Sequence, residues 1–160
     1  MPVLDKWERN IDLKVVSGEI PVKWRYTLGA GGERFFWALK EEGKILASYC
    51  PGCKLWFLPP AIFCERCFSE MEQWKDVGLI AEVKSYTIAH YSLEGERLAK
   101  PEIYAFLVWE GVEGGLIHRL GEIEPKQVKI GMKVRAKLAP KTKRKGLIGD
   151  ILYFAPGKSI

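Results

Sequence analysis

The chain has 160 residues, of which 48% are hydrophobic and 28% charged, a composition typical of a packed globular protein rather than a disordered one. No stretch reaches the roughly 20 uninterrupted apolar residues that cross a bilayer, and the first residues lack the apolar block of a signal peptide. We therefore expect a cytoplasmic protein that does not contact a membrane. The formal net charge of +5 favours an anionic partner, whether a nucleic acid, a nucleotide cofactor or an acidic protein surface.

The first part of the chain, residues 1–43, predicts an arm followed by a short helix. The arm mixes charged residues with apolar ones, and its aromatic residues, including Trp7 and Trp24, either fold back on the body or dock on a partner. A Gly-Ala-Gly-Gly segment at 29–32 is expected to break the chain. The apolar spacing over 33–42 then predicts a helix with one apolar face, and a glycine follows it in the position of a helix stop.

Two Cys-x-x-Cys pairs, separated by ten residues, predict a zinc ribbon over residues 44–76. Each pair can place two thiolates on one tetrahedral ion, and four protein ligands leave no open position for catalysis. A rubredoxin-like iron site and a redox dithiol are the alternatives to zinc. The site is therefore expected to be structural, with every cysteine of the chain as a ligand: Cys50, Cys53, Cys64 and Cys67.

The remaining residues, 77–160, change to a strand pattern. Apolar runs and apolar–polar alternation between turn-rich segments indicate five strands, which we predict over 80–89, 103–109, 116–120, 132–138 and 147–154. Five short strands favour a closed OB-fold barrel, and a sandwich is the alternative. The predicted fold is thus mainly β: an N-terminal helical arm, a rubredoxin-like zinc ribbon and a C-terminal five-stranded OB-fold barrel.

Several short motifs follow one another along residues 31–156 in an order and spacing that one known family shares. The chain resembles the zinc-ribbon plus OB-fold proteins associated with thiolases, although Lys54 and Ala61 stand where that family often has Gly and Arg. The motifs that carry the resemblance are Phe35-Phe36-Trp37, Glu42-Gly43-Lys44-Ile45-Leu46, the two cysteine pairs with Pro59-Pro60 between them, and the segments 104–111, 130–134 and 153–156.

The resemblance implies a non-catalytic accessory subunit of a thiolase-type acyl-CoA complex that helps bind or channel CoA thioesters. The partners it implies are a thiolase-like catalytic subunit, in some assemblies with a hydroxymethylglutaryl-CoA synthase. Accessory subunits of acyl-CoA hydratases and aldolases are the alternative within the same family. The implied ligands are structural zinc and coenzyme A or an acyl-CoA.

The residues themselves also argue against catalysis by this chain alone. A thiolase nucleophile must be a free thiolate, and the predicted metal site uses all four cysteines. The two histidines, His90 and His118, fall in predicted strands without an obvious Ser or Asp constellation, which favours structural roles. If thiolase chemistry occurs, another chain must supply the nucleophile.

A basic run between the last two predicted strands is the candidate CoA site. CoA carries a pyrophosphate and a ribose phosphate, which lysine and arginine donors bind, so a loop at the barrel rim could reach them. A solvated turn is the alternative interpretation. The candidate residues are Lys141, Lys143, Arg144 and Lys145.

The nucleic-acid hypothesis uses the same basic charge together with aromatic residues, because OB-folds bind single strands through stacking platforms. The candidate platforms are Tyr86, Tyr91, Tyr104, Phe106 and Trp109. Phe106, however, lies within an unbroken apolar run, which predicts that it is a core residue. We therefore rank nucleic-acid binding below the accessory role.

Overall fold

The computed structural model describes residues 27–92 and 95–157, so the arm residues Trp7 and Trp24 lie outside the described part of the chain. The described residues form a mainly β fold with one α-helix, a four-stranded sheet and a closed five-stranded barrel. The mainly β class and the five-stranded barrel are as predicted. Within the described residues, no helix has the length and apolar character needed to cross a membrane.

The helix α1 (Gly29–Glu41) is longer than the predicted 33–42, and the expected chain break at its glycine-rich start is wrong. Close packing explains the glycines. A Cβ on Gly31 would lie 3.0 Å from the carbonyl oxygen of Pro60, so glycine lets the first helical turn approach the ribbon backbone. Gly43 follows the helix with a φ of 70°, which fits the predicted stop.

Within residues 27–92 and 95–157, nine strands make up the two sheets. They are β1 (Leu46–Cys50), β2 (Leu55–Leu58), β3 (Gln73–Asp76), β4 (Ile80–Tyr91), β5 (Arg97–Val108), β6 (Glu113–Gly114), β7 (Leu116–Leu120), β8 (Lys133–Leu138) and β9 (Ile151–Pro156).

The ribbon sheet has the strand order β3-β1-β2-β6, so its last strand comes from the C-terminal half of the chain. Strand β6 pairs parallel with β2, and the amide of Gly115 donates to the carbonyl of Leu58 (2.8 Å). An ion pair between Arg66 and Glu113 (2.9 Å) spans the same joint. The ribbon is therefore fastened to the barrel by backbone pairing as well as by side chains.

The barrel has the closed strand order β4-β5-β7-β9-β8, which is the OB-fold arrangement. Its inward positions are apolar and belong to one core that also includes Phe35 and Leu39 of α1. The fully buried side chains at its centre are Val83, Leu107, Val134, Ile151 and Phe154. The helix therefore packs as part of the barrel core rather than as a separate arm.

Strand predictions differ from the structure mainly at the ends. Strand β7 has the predicted bounds, whereas β9 begins at Ile151 instead of 147, because residues 148–150 form a 3₁₀ turn. The prediction of Phe106 as core is wrong. Its neighbours Ala105 and Leu107 point inward and are buried, so the alternation of β5 turns Phe106 to the outer face, where it is half-buried.

Candidate functional site

The four cysteines form one cluster at the tip of the ribbon, as their spacing predicted. Their sulfur atoms all lie within 4.8 Å of one another, and Cys50 and Cys64 are buried whereas Cys67 is exposed. The strand β1 ends at Cys50 and β2 begins at Leu55, so the first pair occupies the turn of a hairpin. The second pair lies between β2 and β3 and completes the cluster.

Positive backbone angles shape both cysteine turns. Lys54 follows the first pair with a φ of 57°, and Phe68 follows the second with a φ of 60°. Only glycine adopts this region without a steric cost, which explains why the resembling family often has Gly in place of Lys54. Gly52 is required for space, since a Cβ there would lie 2.9 Å from the sulfur of Cys67.

Backbone amides, rather than cationic side chains, contact the sulfurs. The amide of Cys53 donates to Cys50 Sγ (3.2 Å), and the amide of Arg66 donates to Cys64 Sγ (3.4 Å). The guanidinium of Arg66 instead pairs with Glu113 and lies over the ring of Phe57, 5.5 Å from its centroid. These amides stabilise thiolates without placing a full charge beside them.

The donor set fits zinc. Three sulfur pairs lie 3.3, 3.7 and 3.5 Å apart (Cys50–Cys67, Cys53–Cys64 and Cys53–Cys67), close to the ~3.8 Å edge of a tetrahedron with Zn–S bonds of about 2.3 Å. They are all well beyond the ~2.05 Å of a disulfide bond. A closed shell of four thiolates gives a structural rather than a catalytic ion.

The thiols of the cluster differ in acidity. Hydrogen bonding to the Ser69 hydroxyl and amide lowers the pKa of Cys67 to about 6, so this sulfur is largely a thiolate at neutral pH. Hydrogen bonding to Cys67 is the largest of the effects that raise the pKa of Cys53 to about 12. A metal ion that binds Cys53 as a thiolate therefore displaces its proton.

The basic run lies in the loop that joins β8 and β9, one of the loops with which OB-folds bind ligands. It borders an open cavity of about 750 Å³ whose wall includes Leu147 and Leu152. Lys143 and Lys145 are exposed at this cavity. Lys141 instead forms a weak ion pair with Glu41 of α1 (3.8 Å).

Arg144 differs from the lysines because backbone carbonyls occupy its guanidinium. Its Nε donates to the carbonyl of Ala139 (2.8 Å), and one terminal nitrogen lies 3.3 Å from the carbonyl oxygen of Lys40 and 3.5 Å from that of Leu39. The carbonyls of Leu39 and Lys40 lie in the last turn of α1, where carbonyls lack hydrogen-bond partners within the helix. The helix dipole also favours a cation at this end. Arg144 thus ties the loop to the helix.

A buried carboxylate holds the other end of the loop. Asp150 is 4% exposed and accepts hydrogen bonds from the amides of Lys145 (2.8 Å), Gly146 (2.7 Å) and Leu147 (3.4 Å). Burial alone would raise the pKa of Asp150, but these amides outweigh it and hold that pKa below its ordinary value. The loop is therefore pinned at Arg144 and at Asp150, with the two lysines on either side of Arg144.

Three of the nucleic-acid and catalytic candidates, Trp109, Tyr104 and His118, lack the geometry that those roles need. Trp109 is buried, and its ring nitrogen donates to the carbonyl of Gly78 (3.0 Å). Tyr104 is exposed but donates to the carboxylate of Glu102 (2.6 Å), a charge that repels phosphate. Burial lowers the pKa of His118, whose ring packs edge-on against a core phenylalanine and has no carboxylate partner among the described residues.

A cysteine-cluster ribbon followed by an OB-fold barrel defines the class of this protein. The profile of the "ChsH2, rubredoxin-like zinc ribbon domain" matches residues 37–72, and that of the "ChsH2, C-terminal OB-fold domain" matches residues 74–139. The chain therefore belongs to the ChsH2 family, also called DUF35.

Solved structures agree with this assignment, although no curated protein matches the chain. A DUF35-family protein of unknown function from Sulfolobus solfataricus is 36% identical, with a TM-score of 0.59, over 68% of this chain and 78% of that one. The Ltp2–ChsH2(DUF35) aldolase structure is 24% identical, with a TM-score of 0.60, over 82% of this chain and 98% of that one. At this identity the second likeness shows the fold.

Sequence reasoning singled out both sets of candidate residues but missed the long-range contacts that position them. The contacts of Arg144 join residues more than 100 positions apart, and no local pattern signals them. The pairing of Arg66 with Glu113 is of the same kind. The sequence feature that came nearest to indicating an anchored loop was Asp150, an acidic residue shortly after the basic run.

Proposed function

We propose that this chain is a non-catalytic accessory subunit of a thiolase-type acyl-CoA enzyme complex, in which it binds the CoA thioester and structural zinc holds its ribbon. The observation that carries the proposal is that all four cysteines of the chain lie in one closed cluster, which leaves no thiol for acyl transfer. Membership in the ChsH2 family supports a role beside a catalytic chain.

The lysines of the β8–β9 loop would bind the CoA phosphates in this role. Lys143 and Lys145 have exposed side chains at a cavity whose apolar wall suits the adenine ring. Lys141 is directed partly to Glu41 and contributes less. Arg144 belongs to the same predicted set, and we assign it the positioning of the loop rather than a phosphate contact.

Calorimetric titration of the zinc-loaded complex with CoA tests this site. The double variant Lys143→Ala, Lys145→Ala should weaken CoA binding at least tenfold, because each lysine removes a charge-assisted contact. Lys126→Ala, an exposed lysine outside the loop, is the matched control and should bind as the wild type does. Unchanged CoA affinity in the double variant would contradict the assignment.

The catalytic partner decides the reaction. We expect the chain alone to be inactive, and a thiolase-like subunit to need it for CoA-dependent cleavage of 3-ketoacyl thioesters. A hydroxymethylglutaryl-CoA synthase is a further candidate partner. To test this expectation, the chain and the co-purifying subunit are expressed separately and together, and each preparation is assayed for thiolysis. Turnover by this chain alone, or full activity of the partner without this chain, would contradict the proposal.

An aldolase complex is the second candidate, favoured by the structural likeness to the Ltp2–ChsH2(DUF35) aldolase. An aldolase partner would cleave a carbon–carbon bond of a β-hydroxyacyl thioester without consuming free CoA. The joint preparation should therefore be assayed both with and without added CoA. Cleavage that is independent of free CoA would favour the aldolase over the thiolase.

A further inference from the structure

A cavity of about 380 Å³ lies between the ribbon and the barrel, apart from the basic loop. Its walls are largely apolar, and both halves of the chain contribute to them. The ribbon supplies Phe57, Pro59, Phe63 and Met71, and the barrel supplies Phe106 on the outer face of β5.

Two glycines make this close arrangement possible. A Cβ on Gly114 would lie 2.2 Å from the carbonyl oxygen of Leu58, and a Cβ on Gly115 would lie 2.2 Å from that of Leu107. Both separations are far inside van der Waals contact, so only glycine fits at either position. Gly114 therefore lets this segment approach the ribbon backbone, and Gly115 lets it approach β5 of the barrel, so the two walls of the cavity meet at this segment.

The charges at the edge of the cavity favour a neutral ligand. The guanidinium of Arg66 is already paired with the carboxylate of Glu113 (2.9 Å), so it offers little to an anion. Glu65, the other charged lining residue, is exposed and would repel one. Apolar rings and a thioether are left as the main binding surface.

Phe106 places one wall of the cavity on the outer face of the second barrel strand, and the face of the second and third strands is where OB-folds bind ligands. Phe106 on β5 stands directly opposite Ile117 on β7. The side chain of Ile117 is 73% exposed, which extends the apolar surface beyond the cavity.

We propose that the ribbon–barrel cavity binds the acyl chain of a thioester, a neutral apolar group of medium length. The proposal rests on the proposed function and adds to it the part of the substrate that the ribbon–barrel cavity would hold. With about 30 Å³ for each water-sized group, the volume of about 380 Å³ has room for roughly ten methylene groups.

Acyl-N-acetylcysteamine thioesters test the proposal, because they carry an acyl chain but none of the CoA phosphates. Acetyl, butyryl, hexanoyl and octanoyl probes are titrated against the zinc-loaded full chain by calorimetry. Each buried methylene should tighten binding about fourfold, and partial burial about twofold, so the octanoyl probe should bind at least roughly 50-fold more tightly than the acetyl probe.

Two exposed phenylalanines of the ribbon provide a matched pair of variants. Phe63 lines the cavity, whereas Phe68, which is 80% exposed, does not. Phe63→Ala should reduce the dependence on chain length, and Phe68→Ala should leave it unchanged. Ala61→Trp, at an exposed lining position, should fill the cavity and abolish that dependence.

Three results would overturn the proposal. The first is equal affinity for all four probes, and the second is equal weakening by Phe63→Ala and Phe68→Ala. The third is release of the catalytic subunit by Ala61→Trp without a change in thioester binding, which would make the cavity a protein docking site. If the lysine double variant loses CoA affinity but keeps the chain-length dependence of the thioester probes, both proposals are supported. If the double variant keeps its CoA affinity while the chain-length dependence is observed, only the CoA site is refuted.

Discussion

Gly52 shows how one residue without a side chain can decide whether a metal site forms. A Cβ at this position would lie 2.7 Å from Ser69 Oγ and 2.9 Å from Cys67 Sγ. We therefore expect Gly52→Ala to displace Cys67 and weaken zinc binding at least tenfold, measured by competition with a chromogenic chelator. Gly149→Ala is the control, because a Cβ there meets nothing within 4 Å; an equal loss in both variants would contradict the steric argument.

Asp150 makes a residue-scale prediction about pH. Its folded-state pKa is lowered, so its stabilisation is present above the unfolded value of about 4 and is lost as the pH falls through the folded pKa. Asp150→Asn should therefore cost ~1–3 kcal/mol of unfolding free energy at pH 7 and progressively less below pH 4. Denaturant unfolding across this range measures it.

Asp76→Asn is the control for that experiment. Asp76 is exposed and accepts one amide hydrogen bond, from Gly78 (2.8 Å), so its replacement should have a smaller effect at every pH. A pH-independent loss in Asp150→Asn would instead indicate that packing, rather than the carboxylate charge, holds the loop.

Among the elements, α1 and the β8–β9 loop form one unit through Arg144. Arg144→Ala should cost ~1–3 kcal/mol, since it leaves carbonyls of Ala139 and Lys40 without their partner. Hydrogen exchange at the end of α1 should accelerate. Arg144→Lys should rescue only part of the loss, because one ammonium cannot reproduce the planar fork of guanidinium donors, while Lys143→Ala should leave the helix unaffected.

The same elements show why sequence prediction failed at particular points. Helix propensity predicts a start after the glycines, but packing of Gly31 against Pro60 favours an earlier start. An apolar run predicts burial for Phe106, yet strand alternation places only its two neighbours inside. A tertiary contact decided the helix start, and the pairing of β5 within the barrel decided which of its two faces is buried.

In the whole molecule, zinc is expected to stabilise the ribbon and, through Arg66 and Glu113, its joint with the barrel. Cys64→Ser should reduce zinc from about one equivalent per chain and lower the thermal midpoint, because metal-binding energy in small modules is folding energy. Phe68→Ser, in the same turn but 80% exposed, is the control. Unchanged zinc content and midpoint in Cys64→Ser would contradict a structural site.

The division into parts at 43/44 and 76/77 stays a prediction. Strand β6 belongs by sequence to the barrel part but pairs with β2 of the ribbon, and α1 shares the barrel core. Limited proteolysis followed by mass analysis of the stable fragments would test whether any part persists alone.

The sequence by itself determined the composition of the metal cluster, the strand-rich C-terminal half and the family, because these depend on local spacing and alternation. Two cysteines three residues apart can place two thiolates on one ion through the local course of the chain. Only the tertiary structure decided that Arg144 contacts the end of α1, that Arg66 reaches Glu113, and that a cavity lies between ribbon and barrel. These depend on contacts between residues distant in the chain, whose positions follow from packing of the whole core.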